Sequence, residues 1–176
     1  MTKKRIIQIA IAAVVLIAVV LTFVVPLSFS RMALDDVAEL QVRIIQRGEP
    51  RSPDTPQSYR FTDTLYRFYY DSDAEVLEQI LEILGRYSYR RTLRTVLDFR
   101  NSHTRFGYAA DIKMQVFLLG RNVAASITLE EPTRSFAGGE VSTEGRHYQM
   151  SRRAERALMY EILNVLEGQE PVRREG

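Results

Sequence analysis

The chain has 176 residues, 45% of them hydrophobic, with no cysteine, no tryptophan and a formal net charge of +2, which gives room for one modest domain and not for a multidomain enzyme. The lack of cysteine excludes a disulfide framework, a thiolate nucleophile, a cysteine zinc site and a lipidated cysteine anchor. Three of the 24 Lys+Arg, Lys3, Lys4 and Arg5, precede the first long apolar run, leaving 21 beyond it against all 22 acidic residues; a body so near neutrality argues against nucleic-acid binding.

Positions 6–25 hold a single strongly polar side chain, Gln8. As a helix rising about 1.5 Å per residue they would span about 30 Å, the hydrocarbon thickness of a bilayer. The sequence therefore predicts a transmembrane helix over residues 6–27, closed by Pro26, after a cytoplasmic basic flank at 1–5. The basic flank against Asp35, Asp36 and Glu39 downstream places the body outside the cytoplasm. A cleaved signal peptide is the alternative, with Ser28 and Ser30 at the spacing of a cleavage site, but the run exceeds the roughly 7 to 15 residues of a signal core and Phe29 and Arg31 interrupt the zone. A pilin-like stem would need a Gly, Phe, Glu processing site near the helix start, which is absent.

Residues 28–36 read as a juxtamembrane linker, 37–168 as an extracytoplasmic α+β domain and 169–176 as a frayed polar tail. In the domain, Leu40, Val42 and Ile44 alternate with Glu39, Gln41 and Arg43, the signature of a half-buried strand. Residues 48–58 carry Gly48, Pro50, Pro53 and Pro56 and read as a loop; 59–70 reads as an aromatic edge strand. Ser72 and Glu75 have capping-box spacing, and Val76, Leu77, Ile80, Leu81, Ile83 and Leu84 make a helical stripe that Gly85 is expected to end. A short strand is expected over 87–92, and 93–100 fits helix and strand equally. Ile112, Met114, Val116 and Leu118 then alternate, as do Val123, Ala125, Ile127 and Leu129 after a turn at 120–122, predicting a hairpin. A shorter hairpin over 140–143 and 146–150 precedes a helix capped by Ser151, striped by Ala154, Ala157, Leu158, Ile162, Val165 and Leu166 and ended by Gly168. Hairpins with two one-faced helices predict an α+β class: an N-terminal transmembrane helix followed by an antiparallel sheet with two packed amphipathic helices.

Few residues carry recognisable chemistry. The two histidines, His103 and His147, lie far apart without an HExxH pattern, so no metal site is expected. Asp71, Asp73, Glu75 and Glu82 copy four positions of a calcium loop, but Val76 stands where that loop needs glycine. Walker, GxGxxG, GxSxG and SxxK patterns are absent. Neither catalytic nor cofactor-binding residues are assigned, and no cofactor is expected. Glu130 with Glu131, or Asp71 with Asp73, would be the acids of an alternative hydrolase or transferase; adjacent strand residues point to opposite faces, which counts against the first pair.

Aromatic and guanidinium groups alternate at Tyr59, Phe61, Tyr66, Arg67 and Tyr69, and Arg152, Arg153 and Arg156 crowd the start of the last helix, where the dipole disfavours cations. These eight residues are the candidate interaction surface, suited to a protein or an anionic envelope polymer. The elements at 72–85, 112–118, 123–129 and the junction Arg146, His147, Tyr148, Gln149, Met150, Ser151 resemble the small α+β modules of uncharacterised single-anchor envelope proteins of Gram-positive bacteria. That resemblance carries no catalytic residues. The sequence thus points to a single-pass protein in the cell membrane, its outer domain a binding or accessory subunit of an envelope complex that meets lipid through residues 6–27 and a protein partner or a second copy of itself. The alternatives to this binding role are a membrane-bound hydrolase or transferase using acidic residues, or a sensor holding a small ligand between sheet and helix.

Overall fold

The computed structural model describes residues 3–24, 37–50, 59–91, 111–120, 124–131, 140–143 and 146–175. Its helices are α1 (Lys3–Val24), α2 (Tyr70–Arg86) and α3 (Arg152–Leu166). Its strands are β1 (Val37–Pro50), β2 (Tyr59–Tyr69), β3 (Ile112–Gly120), β4 (Ala124–Glu131), β5 (Glu140–Thr143), β6 (Arg146–Gln149) and β7 (Arg173–Glu175). All seven strands form one antiparallel sheet in the order β6-β5-β4-β3-β1-β2-β7, so the α+β class stands.

Alternation sets which face of the sheet is covered. Leu40, Val42 and Ile44 of β1 oppose Phe68, Tyr66 and Thr64 of β2 and Leu118, Val116 and Met114 of β3. Ala125, Ile127 and Leu129 continue the row on β4, and Val141 and Tyr148 extend it through β5 and β6. A one-residue slip anywhere would turn this row outward, so burial fixes the register. On the row lie Leu77, Ile80, Ile83 and Leu84 of α2 and Leu158, Met159 and Ile162 of α3, in one continuous core. Each such side chain contributes about 1.5–3 kcal/mol when fully withdrawn from water. Both helices sit on this one side.

The hairpin β3–β4 has the expected pairing, with Met114 opposite Leu129 and Leu118 opposite Ala125. The shorter β5–β6 hairpin also forms, setting Val141 against Tyr148. Ser151 caps α3 by accepting from the Ala154 N–H at 3.2 Å. Gly168 takes φ +90° just beyond the helix, the left-handed conformation anticipated there.

Elsewhere the chain departs from the sequence expectation. The Ser72–Glu75 capping box does not form. Instead Asp73 breaks the helix locally (φ −124°, ψ 31°), and its carboxylate accepts from the Tyr69 N–H at 3.1 Å and the Ser72 hydroxyl at 2.6 Å. Gly85 does not stop α2, which runs to Arg86 and leaves through an extended Tyr87 (φ −96°), whose N–H reaches the Leu84 carbonyl at 3.3 Å. That exit leads to Arg90, which bridges Gln149 of β6, so among the described residues the strand expected over 87–92 is reduced to isolated bridging. Strand β1 extends through Gly48 to Pro50, further than the proline-rich composition suggests.

Strand β2 keeps its outer edge along most of its length but is covered over Asp63, Thr64 and Leu65. The tail expected to fray supplies β7, which pairs Arg173, Arg174 and Glu175 with Leu65, Thr64 and Asp63, with Arg173 3.5 Å from the Asp63 carboxylate. The undecided stretch 93–100, His103, and residues 51–58, 121–123, 132–139 and 144–145 lie outside the described residues.

Helix α1 has 22 residues. Its described large apolar side chains, from Ile6 to Leu21, are between 48% and 66% exposed. Among the described residues no helix is long and apolar enough to cross a membrane; the side chains described on α1 are those of residues 5–21.

Candidate functional site

Placing both helices on one side leaves the other face of the sheet without a helix among the described residues. The side chains there come from the odd positions of β2 and from their neighbours across β1 and β3. Glu39, Gln41 and Arg43 of β1 lie between Tyr69, Arg67 and Leu65 of β2 and Leu119, Phe117 and Gln115 of β3. Phe61, Tyr69 and Leu119 are more than a third exposed.

Ion pairs organise this face. Arg43 grips Asp63 with two nitrogens: Nε reaches Oδ1 at 3.0 Å and Oδ2 at 3.1 Å, and Nη2 reaches Oδ2 at 2.5 Å. The guanidinium holds the Asp63 carboxyl below the ordinary carboxylate value, and the same bonds raise Arg43. Arg67 pairs with Glu39 at 3.0 Å, and Glu39 also accepts from the Gln41 amide at 2.8 Å. At one end Arg47 reaches Asp111 while its guanidinium stands 4.3 Å over the Tyr59 ring. Lys113, only 8% exposed at the side chain, points to Glu130 at 3.4 Å. Each of these cations has an acid beside it, so the face offers aromatic and hydrogen-bonding surface with little net field.

The eight sequence-predicted residues divide between the two sides. Phe61, Arg67 and Tyr69 lie on the open face, and Tyr59 shares their alternation at its end. Tyr66 does not: it points to the core side and stacks near Phe68, ring centroids 6.5 Å apart. Even and odd positions of one strand cannot serve one surface. Arg152, Arg153 and Arg156 open α3 on the far side of the sheet. Arg156 reaches Glu131, which also accepts from the Tyr160 hydroxyl and raises that phenol.

The acidic pairs do not converge. Glu130 faces Lys113 and Glu131 faces Arg156, on opposite sides of the sheet. Asp73 is engaged in the turn that starts α2, and Asp71 is exposed beside it. The four acids of the calcium-loop pattern lie along α2 instead of around a loop, and among the described residues no group of three or more His, Cys, Asp or Glu is placed to hold a metal. His147 lies on β6, opposite Ser142.

Between α2 and α3 an open groove of ≈ 260 Å³ is lined by Gln79, Ile83, Arg86, Glu161, Asn164 and Val165. Glu161 accepts there from Arg86 at 2.6 Å and from the Tyr87 hydroxyl at 2.7 Å. Burial and that bond push the Tyr87 phenol up to about 12. The groove is a shallow seam between helices whose polar groups answer one another.

The sequence reading missed Arg43, Asp63, Glu39, Phe117 and Leu119 as parts of the open face. Alternation alone places Arg43 and Glu39 outward, so half of that signal was present. Their partners, 20 or more positions away, depend on the β1–β2 and β1–β3 registers. Comparison of the chain with protein-family models, with curated proteins and with solved structures finds no match.

Proposed function

We propose that the chain is a single-pass membrane-anchored protein whose outer domain acts by binding, holding a protein partner on the open sheet face as an accessory part of an envelope complex. The observation that carries this reading is a helix with exposed apolar side chains together with a sheet face on which no helix lies among the described residues. Helix α1 shows apolar side chains on every side, which water penalises at about 25 cal/mol per Å² and lipid does not. The sheet shows aromatic side chains set among internally balanced ion pairs, the composition of an interface rim and core. That balance favours a protein over an anionic polymer, which would need unmatched cations. In sequence the apolar run covers positions 6–25, the length that a bilayer core requires of a helix. Tethering would concentrate the domain beside its partner and let a modest contact suffice. An acid-dependent enzyme gains no comparable support, since Glu130 and Glu131 face apart.

The chain has no cysteine, so single-cysteine variants report topology without background. Arg153→Cys should react with a membrane-impermeant maleimide in intact cells, and Thr2→Cys only after permeabilisation. A photo-crosslinking residue at Phe117 or Tyr69 should capture a partner that one at Glu78, on the helix side, does not. Equal capture from both sides, or release of the chain by alkaline carbonate, would overturn the proposal.

A further inference from the structure

The outer edge of β2 is occupied in an unequal way. Strand β2 has 11 residues, yet among the described residues β7 pairs with only Asp63, Thr64 and Leu65. The Val172 N–H bonds the Leu65 carbonyl at 2.8 Å, although Arg173 is the residue set against Leu65. Two residues of the tail thus face one of β2, a bulge that ends regular pairing. Behind them Pro171 has no N–H to give. Since the Leu65 carbonyl points to this edge, strand alternation points the backbone groups of Phe61 and Arg67 the same way, beyond the three paired residues. Asp73 closes the far end by taking the Tyr69 N–H.

The resident strand is also held loosely by its side chains. Arg173 reaches Asp63 at 3.5 Å and Glu175 at 3.4 Å, and the side chains of Arg173 and Glu175 are half or more exposed. Glu175 stands directly opposite Asp63, an unfavourable cross-strand pairing of like charges. Val172 is 62% exposed and so gains little by burial.

We propose that the β2 edge is a strand-addition site, kept covered by β7, and that its partner is an extended, proline-free polypeptide segment with a basic side chain at the place Arg173 holds and no acid opposite Asp63. Such a segment would pair from Phe61 to Arg67, longer than the resident strand, and would satisfy Asp63 without the facing Glu175. Backbone pairing would supply affinity and the Asp63 position selectivity. This deepens the reading of the domain as a binding module and does not depend on the anchor.

The probe is a fluorescein-labelled peptide of about eight residues alternating threonine and valine, with one central arginine, and a matched peptide with central glutamate. Fluorescence anisotropy on the detergent-solubilised chain should show the arginine peptide binding about tenfold more tightly once residues 170–176 are removed, and about tenfold more tightly than the glutamate peptide. Asp63→Asn should abolish the second ratio. In the full-length chain, Thr64→Cys with Arg174→Cys, a directly opposed pair, locks β7 in place when oxidised. Binding should then be lost, and reduction should restore it. This arm holds if the shortened chain fails to fold. Equal binding to oxidised and reduced chains, or no binding to any form, would overturn the inference. A partner still captured through Phe117 in that case would leave the open-face reading intact.

Discussion

Acid should loosen the β1–β2 pairing through one carboxylate, and the Arg43–Asp63 pair allows the size of that effect to be worked out. Three nitrogen-to-oxygen contacts between 2.5 and 3.1 Å make a two-pronged clamp. Two unit charges about 4 Å apart are worth about 1 kcal/mol in bulk water and about 4 kcal/mol at an effective dielectric of 20. Arg43 is 39% exposed at the side chain and Asp63 18%, so solvent screening pulls the value toward the lower figure, to about 1–1.5 kcal/mol for the coupling. The sign follows from the carboxyl being held below its ordinary value by the guanidinium. A group whose folded-state value is depressed stabilises the fold above its unfolded value, about 3.9, and that stability disappears as pH falls through the folded one. A double-mutant cycle with Arg43→Gln, Asp63→Asn and the double variant, followed by urea unfolding in detergent, should give about 1–1.5 kcal/mol at pH 7 and progressively less as the pH is lowered below the ordinary carboxylate value. Coupling below about 0.3 kcal/mol at pH 7, or coupling that does not fall as the pH is lowered, would refute the reasoning.

Other perturbations test separate parts of the molecule. Leu118→Ala, at a side chain with no exposure between Leu40 and Ala125, should lower unfolding free energy by about 2–5 kcal/mol in chemical denaturation. Gly168→Ala meets no atom within 4 Å but keeps φ +90°, so backbone strain alone should remove about 1 kcal/mol from the same measurement. The Tyr87 phenol, raised to about 12 by burial and its bond to Glu161, should contribute stability that is whole below pH about 10 and lost as pH rises toward the folded value; ultraviolet titration of Tyr87→Phe against the parent chain isolates it. If α1 is the proposed anchor, Val15→Arg with Leu16→Arg, each worth about 2.5–3.5 kcal/mol against insertion at the centre of a span, should shift the chain from the carbonate-resistant membrane pellet to the supernatant.

Much of the architecture was legible because burial on one face writes a period of two into a strand. Met114 to Leu118 and Ala125 to Leu129 announce a hairpin and its register together. The helix stripes were equally plain, and Ser151 and Gly168 marked both ends of α3. What stayed hidden depends on contacts distant in sequence. The Ser72–Glu75 spacing looked like a cap, yet the neighbouring Asp73 accepts from Tyr69 because β2 delivers that N–H at the right place. Gly85 looked like a stop, but an extended exit to Tyr89, fully buried with its hydroxyl donated to the Leu84 carbonyl, makes a left-handed residue unnecessary. The aromatic segment was recognised as one surface when alternation had already split Tyr66 from Phe61, Arg67 and Tyr69. The polar tail reads as frayed by composition; its place comes from backbone pairing with β2, a strand about 110 positions earlier.

The withdrawal of Lys113 has a practical outcome. Apart from Lys3 and Lys4 it is the sole lysine in the sequence, and it is turned to Glu130 with its side chain nearly hidden. The domain therefore offers its cationic chemistry to the surroundings almost wholly as guanidinium. Acylating reagents, amine crosslinkers and lysine-directed modifying enzymes would find their targets only at the amino-terminal end, so a reagent of that kind reports on the stem while leaving the folded head untouched.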